Sequence, residues 1–499
     1  MTEIPVPGPG GRIRPVPVRA LRSPGPGGPT SAAPVVIWFR RDLRVADQPT
    51  FLAAGQGARA LALFVLDPRL LRPSGDARKW FLFGCLRALD ESLGGRLLVV
   101  EGDPAQAVPL VADAAGAGEV HVAADFGPYG SSRDREVEQA LAARGATLVR
   151  TGSPYAVAPG RVRSGDGGRY RVFTPFRRAW ADHGWRAPAR TDAGFLDWID
   201  PATVRARPAP VPAGPDVVAD LPEPGEAAAR DRWRDFLDHG LSGYADGRDR
   251  PDRPGTSRMS VYLKYGCVHP RTLLADLAGD GSEGARSFRG ELAWREFYAD
   301  VLDQRPDSAR RNYDPAFDGM ATDGGRDAEV LFAAWREGRT GFPVVDAGMR
   351  QLLAEGWMHN RVRMITASFL VKDLHLPWWW GARHFMRRLV DGDLASNQHG
   401  WQWVAGSGTD AAPYFRVFNP VLQGERFDPE GNYVRTYVPE LAGVPGRAVH
   451  QPWRLPEGPP GGYPAPVVDH QHERAVALER YEAVKAARSG RAAPGRRPG

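Results

Sequence analysis

The chain opens on turn-forming residues, and regular patterning begins only at Val35. Short apolar runs then recur: "VVIWF" (35–39), "ALALFVL" (60–66), "RLLVV" (96–100), "EVHVAA" (119–124) and "ATLVR" (146–150). Runs this short and this uniformly apolar predict strands buried on both faces. Between them the spacing becomes that of amphipathic helices, as in "RKWFLFGCLRALDESL" (78–93) and "SSRDREVEQALAARG" (131–145). Such alternation predicts an N-terminal α/β domain on a doubly wound parallel sheet. "WFRRDLRVAD" follows the first strand where a dinucleotide fold would carry GxGxxG, so that fingerprint is absent.

Residues 186–225, centred on "RPAPVPAGPDVVADLPEPGE", are rich in proline and alanine and read as a linker. From Glu226 the periodicity is helical. "EAAARDRWRDFLDHGL" puts Trp233, Phe236, Leu237 and Leu241 on one stripe. "DHQHERAVALERYEAVKAA" (469–487) is the last amphipathic helix. The expected organisation is a disordered Pro/Gly/Arg arm over 1–34 and the α/β domain over 35–165. An interdomain linker over 166–225, an all-α C-terminal domain over 226–487 and a disordered basic tail over 488–499 follow.

At 499 residues, two domains are the natural expectation. No apolar run approaches the roughly 18–20 residues that span a bilayer, and the N-terminus lacks a signal-peptide pattern. Two cysteines, Cys85 and Cys267, are too few for a disulfide framework, a zinc site or a cluster. A reducing, cytoplasmic home is the simplest reading. The net charge of +6 sits in the termini: residues 1–34 carry +3 and residues 483–499 carry +5, leaving about −2 on the body. A nucleic-acid site must therefore be a local patch.

Four stretches concentrate chemistry. In "WMHNRVRMITASFLVKDL", taken as a helix, Val362, Ile365, Phe369 and Leu374 face a core, while Asn360 and Met364 share another face. In "SFRGELAWREFYADVL" (287–302), Glu291, Trp294 and Tyr298 share a face, with Arg295 beside them. That wall offers a carboxylate and an indole, which suit a flipped base; an ordinary aromatic core stripe is the plain alternative. "GTSRMSVYLKYG" (255–266) sets Thr256, Ser257 and Ser260 at a helix start, fit for a pyrophosphate or for a simple N-cap. In "DGDLASNQHGWQWVAGSGTD" (391–410), Asp391 and Asp393 flank Gly392, and Asn397, Trp401 and Trp403 follow. Paired acids and an amide suit a flavin's ring edge and ribityl chain, and indoles such as Trp378 and Trp401 can relay electrons. No HExxH, GxSxG or P-loop pattern occurs, and no metal site is expected.

Read together, these stretches resemble the DNA photolyase/cryptochrome family, closest to bacterial class I cyclobutane pyrimidine dimer photolyases. The likeness runs from about Val35 to about Leu441. It rests chiefly on "GRTGFPVVDAGMRQLLAEGWMHNRVRMITASFLVKDLHL" and "DGDLASNQHGWQWVAGSGTDAAPYFRVFNP". The resemblance implies that the helical domain binds FAD and that excited reduced FAD passes an electron to a flipped-out dimer in damaged DNA. It implies that Tyr244, Thr256, Ser257, Arg258, Met259 and Ser260 contact the FAD phosphates and ribityl chain. Arg363 and Asp391 would pair beside the ring, with Gly392 and Asp393 next to it and Asn397 at N5. The dimer pocket would comprise Glu291, Trp294, Asn360, Met364 and Trp403, with Arg248, Arg295 and Arg361 toward DNA. A monomeric repair lyase is implied, rather than a signalling cryptochrome or a six-four enzyme, which would place histidines at the lesion.

Two departures matter. The family's outermost electron-relay tryptophan falls at Gly325, while Trp401 and Trp378 match the inner members. Trp379, Trp380 or a tyrosine are the substitutes the sequence offers. The glutamate of folate-antenna members falls at about Gly127 in "AADFGPYGSSRD", so a second chromophore would be a deazaflavin rather than a folate.

Overall fold

The computed structural model describes residues 33–217, 219–410 and 416–492. The expected arm, apart from its last two residues, and the end of the expected tail lie outside these ranges. Five parallel strands run in the order β3-β2-β1-β4-β5: β1 (Val35–Phe39), β2 (Arg59–Leu66), β3 (Leu97–Glu101), β4 (Glu119–Val122) and β5 (Thr147–Arg150). In register, Val36 lies between Leu61 and Val120. The side chains of β1 to β4 are buried on both faces, except at Arg59, Glu101 and Glu119 on strand ends, because crossover helices, among them Asp76–Ser92 and Pro104–Ala115, pack against the sheet; the edge strand β5 is more exposed. The order reverses between β1 and β4, so the loops leaving these strands open a crevice at their carboxyl ends. Those loops carry Arg40 and Arg41 after β1 and Asp125 after β4.

The stretch expected to be a linker is built into both domains. Helix Phe173–His183 buries Phe173, Phe176 and Trp180, and Phe176 meets Phe297 of helix Glu283–Gln304. A sixth strand, β6 (Asp197–Trp198), pairs parallel with β2. Two residues are too few to leave a periodic signal, and the surrounding prolines mask them.

The C-terminal half is helical, as expected. Helices Glu283–Gln304, Pro343–Glu355, Asn360–Lys372, Trp378–Arg388 and Leu394–Ala405 frame the centre. Val362, Ile365, Phe369, Phe385 and Trp401 lie in its core. Trp401 packs against Trp378–Arg388 where Gly381 makes room, since a Cβ there would lie 2.1 Å from the indole. The last helix, His470–Ala492, continues through positions 488–492, which the sequence reading gave to a disordered tail. The domains meet closely at Gly266, whose φ is +70° and whose Cβ would lie 1.9 Å from the Arg41 carbonyl oxygen. Among the described residues, no helix is long and apolar enough to cross a membrane.

Candidate active site

Helix Leu394–Ala405 is capped by Asp393, whose carboxylate accepts from the Ser396 N–H at 3.1 Å. The turn before it carries Asp391. Its Oδ2 accepts from Arg363 at 2.9 Å and from the Ser260 hydroxyl at 2.7 Å. Arg363 also donates to the Met358 carbonyl at 2.8 Å, which fixes its orientation. Asp391 Oδ1 is buried and lacks a hydrogen-bond partner. A buried carboxylate oxygen without a donor is costly unless a bound group supplies one, and a flavin ring edge offers N–H donors. The residues present therefore fit FAD.

Asp393 pairs with Arg41 at 2.9 Å, reaching across from the α/β domain. Burial acts to raise its pKa, but Arg41, Lys264 and Arg295 outweigh that and hold the carboxyl well below the usual range. Lys264, half-buried, is pushed down to about 7 by desolvation and by the neighbouring Arg41 charge. Asn397 donates to the Ala382 carbonyl at 3.1 Å and to Gln398 Oε1 at 2.9 Å, so its amide is held against helix Trp378–Arg388. At Gly392 a Cβ would come within 3.3 Å of the Leu389 carbonyl oxygen and Met386 sulfur, so the turn packs on that helix.

The 255–266 stretch differs from expectation in one respect. Its helix, Ser260–Tyr265, starts only at Ser260, and Thr256 and Ser257 lie in the loop before it. Arg232 pins that loop by donating to both their carbonyls at 3.0 Å. Met259 is buried. Arg258 adopts φ +54°, bridges to Glu355 at 2.9 Å and lies over Trp357 at 4.4 Å. Tyr244 is buried against Phe236 and Phe288.

The second wall is charged and aromatic. Glu291 pairs with Arg248 at 2.7 Å. Burial raises the Glu291 pKa, and Arg248 works against it. Arg361 makes a bidentate pair with Asp249, at 2.8 and 3.2 Å, and lies over Phe427. Both Asp249 and Arg361 act on Glu291, so the four charges form one network. Trp294, partly buried, stacks flat on Phe173, centroids 3.6 Å apart and planes 9° apart, and also meets Phe297 at 5.8 Å and Tyr298 at 5.3 Å. Asn360 opens its helix and is exposed, with Met364 one turn on. Trp403, half-buried, donates to the Asp410 carbonyl at 3.1 Å, and Asp410 and Glu291 both act on Tyr298. Arg295 stands apart from this wall: it donates to the Pro154 and Leu263 carbonyls at 3.0 and 3.2 Å, at the domain junction.

Among described rings, Trp401 meets Phe385 at 5.0 Å and Trp335 at 6.1 Å. Trp378 meets Trp379 at 6.0 Å and donates to Asn312 Oδ1 at 2.9 Å. Trp379 is 39% exposed. Gly325 has φ +81°, so a tryptophan there would be strained. Sequence reasoning missed Trp335, Trp357, Phe173, Asp249 and Lys264. Asp249 adjoins Arg248 in "GRDRPDRP", which was a usable signal; the others are brought in by tertiary packing alone.

A cavity of about 1930 Å³ runs between the domains from the switch-point crevice, lined by Trp38, Arg40, Asp67, Tyr129, Arg133 and Lys264 among others. The guanidiniums of Arg40 and Arg133 lie 4.7 and 5.2 Å from the Trp38 ring.

Two family models match the chain: "DNA photolyase" over residues 35–193 and "FAD binding domain of DNA photolyase" over residues 288–483. A deoxyribodipyrimidine photo-lyase of Streptomyces griseus is 43% identical, covering 88% of this chain and 97% of that one. The crystal structure of a bacterial class III photolyase from Agrobacterium tumefaciens has a TM-score of 0.84 at 38% identity, covering 93% of this chain and all of that one. An archaeal photolyase from Sulfolobus tokodaii, solved with two FAD molecules, has a TM-score of 0.75 at 29% identity, covering 90% and 100%. With its sheet, its helical flavin cradle and both family models matched, this chain belongs to the DNA photolyase family.

Proposed function

We propose that this chain is a deoxyribodipyrimidine photolyase that splits cyclobutane pyrimidine dimers in DNA in a light-dependent reaction. The observation that carries the reading is that one helix, Asn360–Lys372, sets Arg363 on Asp391, with its unpartnered Oδ1, and Arg361 on Asp249 of the Glu291–Arg248 network. When bound, reduced FAD supplies a photoexcited electron donor. Arg363, Asp391, Ser260 and Asn397 would hold its ring, and Tyr244, Thr256, Ser257, Arg258 and Met259 its phosphates and ribityl chain.

On the substrate side, Trp294 and Trp403 stack against the flipped dimer, and Asn360 and Met364 line its edge. Arg248 and Arg361 meet the backbone, while Asp249 keeps Arg361 oriented when DNA is absent. A dimer is already poorly stacked in the duplex, so extruding it costs less than extruding a normal base. Glu291, whose pKa burial raises against the pull of Arg248, would in its protonated form donate a hydrogen bond where negative charge develops on the dimer. Trp401 and Trp378 carry electrons from outside, with Trp379 as the exposed terminus that Gly325 cannot provide.

The cavity between the domains is suited to a second, planar chromophore. The guanidiniums over Trp38 and the absence of a carboxylate side chain at Gly127 favour a deazaflavin over a folate. The protein acts as a monomer in the cytoplasm, associated with the nucleoid through DNA. The test is lesion choice: reduced protein under near-ultraviolet light should restore an oligonucleotide with a thymine dimer and leave a six-four photoproduct untouched. Restoration of the six-four lesion alone would overturn the assignment.

A further inference from the structure

The chain has two cysteines, and the fold brings them together from 182 positions apart. Cys85 lies in helix Asp76–Ser92 of the α/β domain, and Cys267 follows the Ser260–Tyr265 helix of the helical domain. Their sulfurs are 3.5 Å apart, and neither residue is exposed. The surrounding backbone leaves little slack. A Cβ at Gly84 would lie 2.3 Å from Pro224, one at Gly225 would lie 2.7 Å from Ala88, and Gly266 abuts the Arg41 carbonyl. Phe81 packs over Tyr262 and Tyr265 on the same junction. Nothing in the flavin cradle or the lesion wall uses either thiol.

We propose that Cys85 and Cys267 are a site of oxidative modification, at which a hydroperoxide closes a disulfide that staples the two domains. In the first step one sulfur attacks hydrogen peroxide, the O–O bond breaks, and a sulfenic acid and one water result. In the second, the other sulfur attacks the sulfenic sulfur, forms the S–S bond and releases a second water. The two thiols together lose two electrons and two protons, and the peroxide is reduced to water.

Three features set the outcome. Closing the 3.5 Å sulfur separation to a bond of about 2 Å is to come from rotation about the two Cα–Cβ bonds, since Gly84, Gly225 and Gly266 hold the backbone in place. Full burial excludes bulky thiols and favours capture of the sulfenic acid by its neighbour over further oxidation. Burial also pushes the Cys85 thiol well up, and the thiolate is the nucleophile, so closure is slow at neutral pH and quickens as pH rises. A link across 182 positions constrains the unfolded chain strongly, so the oxidised protein resists unfolding at the junction.

The experiment uses the full-length, flavin-loaded protein exposed to hydrogen peroxide. Thiols are counted with a chromogenic disulfide reagent after denaturation, with non-reducing electrophoresis, intact mass and urea unfolding alongside. The expected result is a fall from two thiols to none and a faster monomer band that reverts with dithiothreitol. A mass loss of about 2 Da and a higher urea midpoint should accompany it. Cys85→Ala and Cys267→Ala should each retain one thiol and give no fast band. Two thiols persisting in the native protein, at a peroxide dose that oxidises the urea-unfolded chain, would overturn the proposal. So would thiols lost as oxygen adducts or as covalent dimers, and an unchanged urea midpoint would remove the staple role.

Discussion

Replacing Trp294 with alanine removes the stacking face of the lesion wall and leaves the charge network of Glu291, Arg248, Asp249 and Arg361 in place. Stacking of a base on an aromatic side chain contributes about 1–3 kcal/mol, which is roughly 5- to 150-fold in affinity. Phe173 lies parallel to the indole at 3.6 Å and fixes its plane before DNA arrives, so little ordering cost is deducted on binding. The loss should therefore fall in the upper half of that range, roughly 30- to 150-fold. The assay is fluorescence anisotropy with two labelled oligonucleotides, one carrying a single thymine dimer and one undamaged. The dimer oligonucleotide should weaken by that factor, and the undamaged one should hardly change, because its contacts are to phosphates. Phe173→Ala should produce a smaller loss of the same kind. Unchanged dimer affinity, or equal weakening of both oligonucleotides, would refute the stacking argument.

Glu291→Ala should lower repair per bound dimer more than it lowers DNA affinity, whereas Glu291→Gln, a permanent donor, should preserve most of it. The wild-type yield should fall as pH rises through the elevated Glu291 pKa, because the carboxyl then loses its proton, and the Gln variant should lack that fall; matching pH profiles would contradict the role. Asp391→Asn removes the charge that Arg363 faces at 2.9 Å, and FAD retention should drop by about one to two orders of magnitude, read as flavin content after dialysis. Trp401→Phe should block photoreduction of oxidised FAD yet spare repair by chemically reduced protein. Trp379→Phe should slow photoreduction more than Trp380→Phe if the exposed ring is the terminus.

Much of the architecture was legible because burial on two faces and burial on one face leave different periods. The strand positions of β1 to β5 and the helical second half follow from that alone. Strand β6 was not, because two residues leave no period, whereas helix Phe173–His183 sets Phe173, Phe176 and Trp180 at helical spacing and was a usable signal. The Arg363–Asp391 pair could be expected from the resemblance, and the structure brings it together. The Arg41–Asp393 bridge could not, since 352 positions separate its partners and only the domain junction joins them. The resemblance put Arg295 toward DNA, but a step of one residue turns it about 100° from Trp294, and it donates to the Pro154 carbonyl at the domain junction. The flat Phe173–Trp294 stack likewise has no sequence signal, because its two rings come from different helices.

The most direct measurement is a light-versus-dark repair assay. Purified protein with chemically reduced FAD is mixed with an oligonucleotide bearing one thymine dimer, and intact thymines are counted after blue or near-ultraviolet illumination. Restoration in light, with none in darkness, is the predicted result. Equal restoration in the dark, or none in light from protein that holds FAD and binds the dimer, would contradict the account.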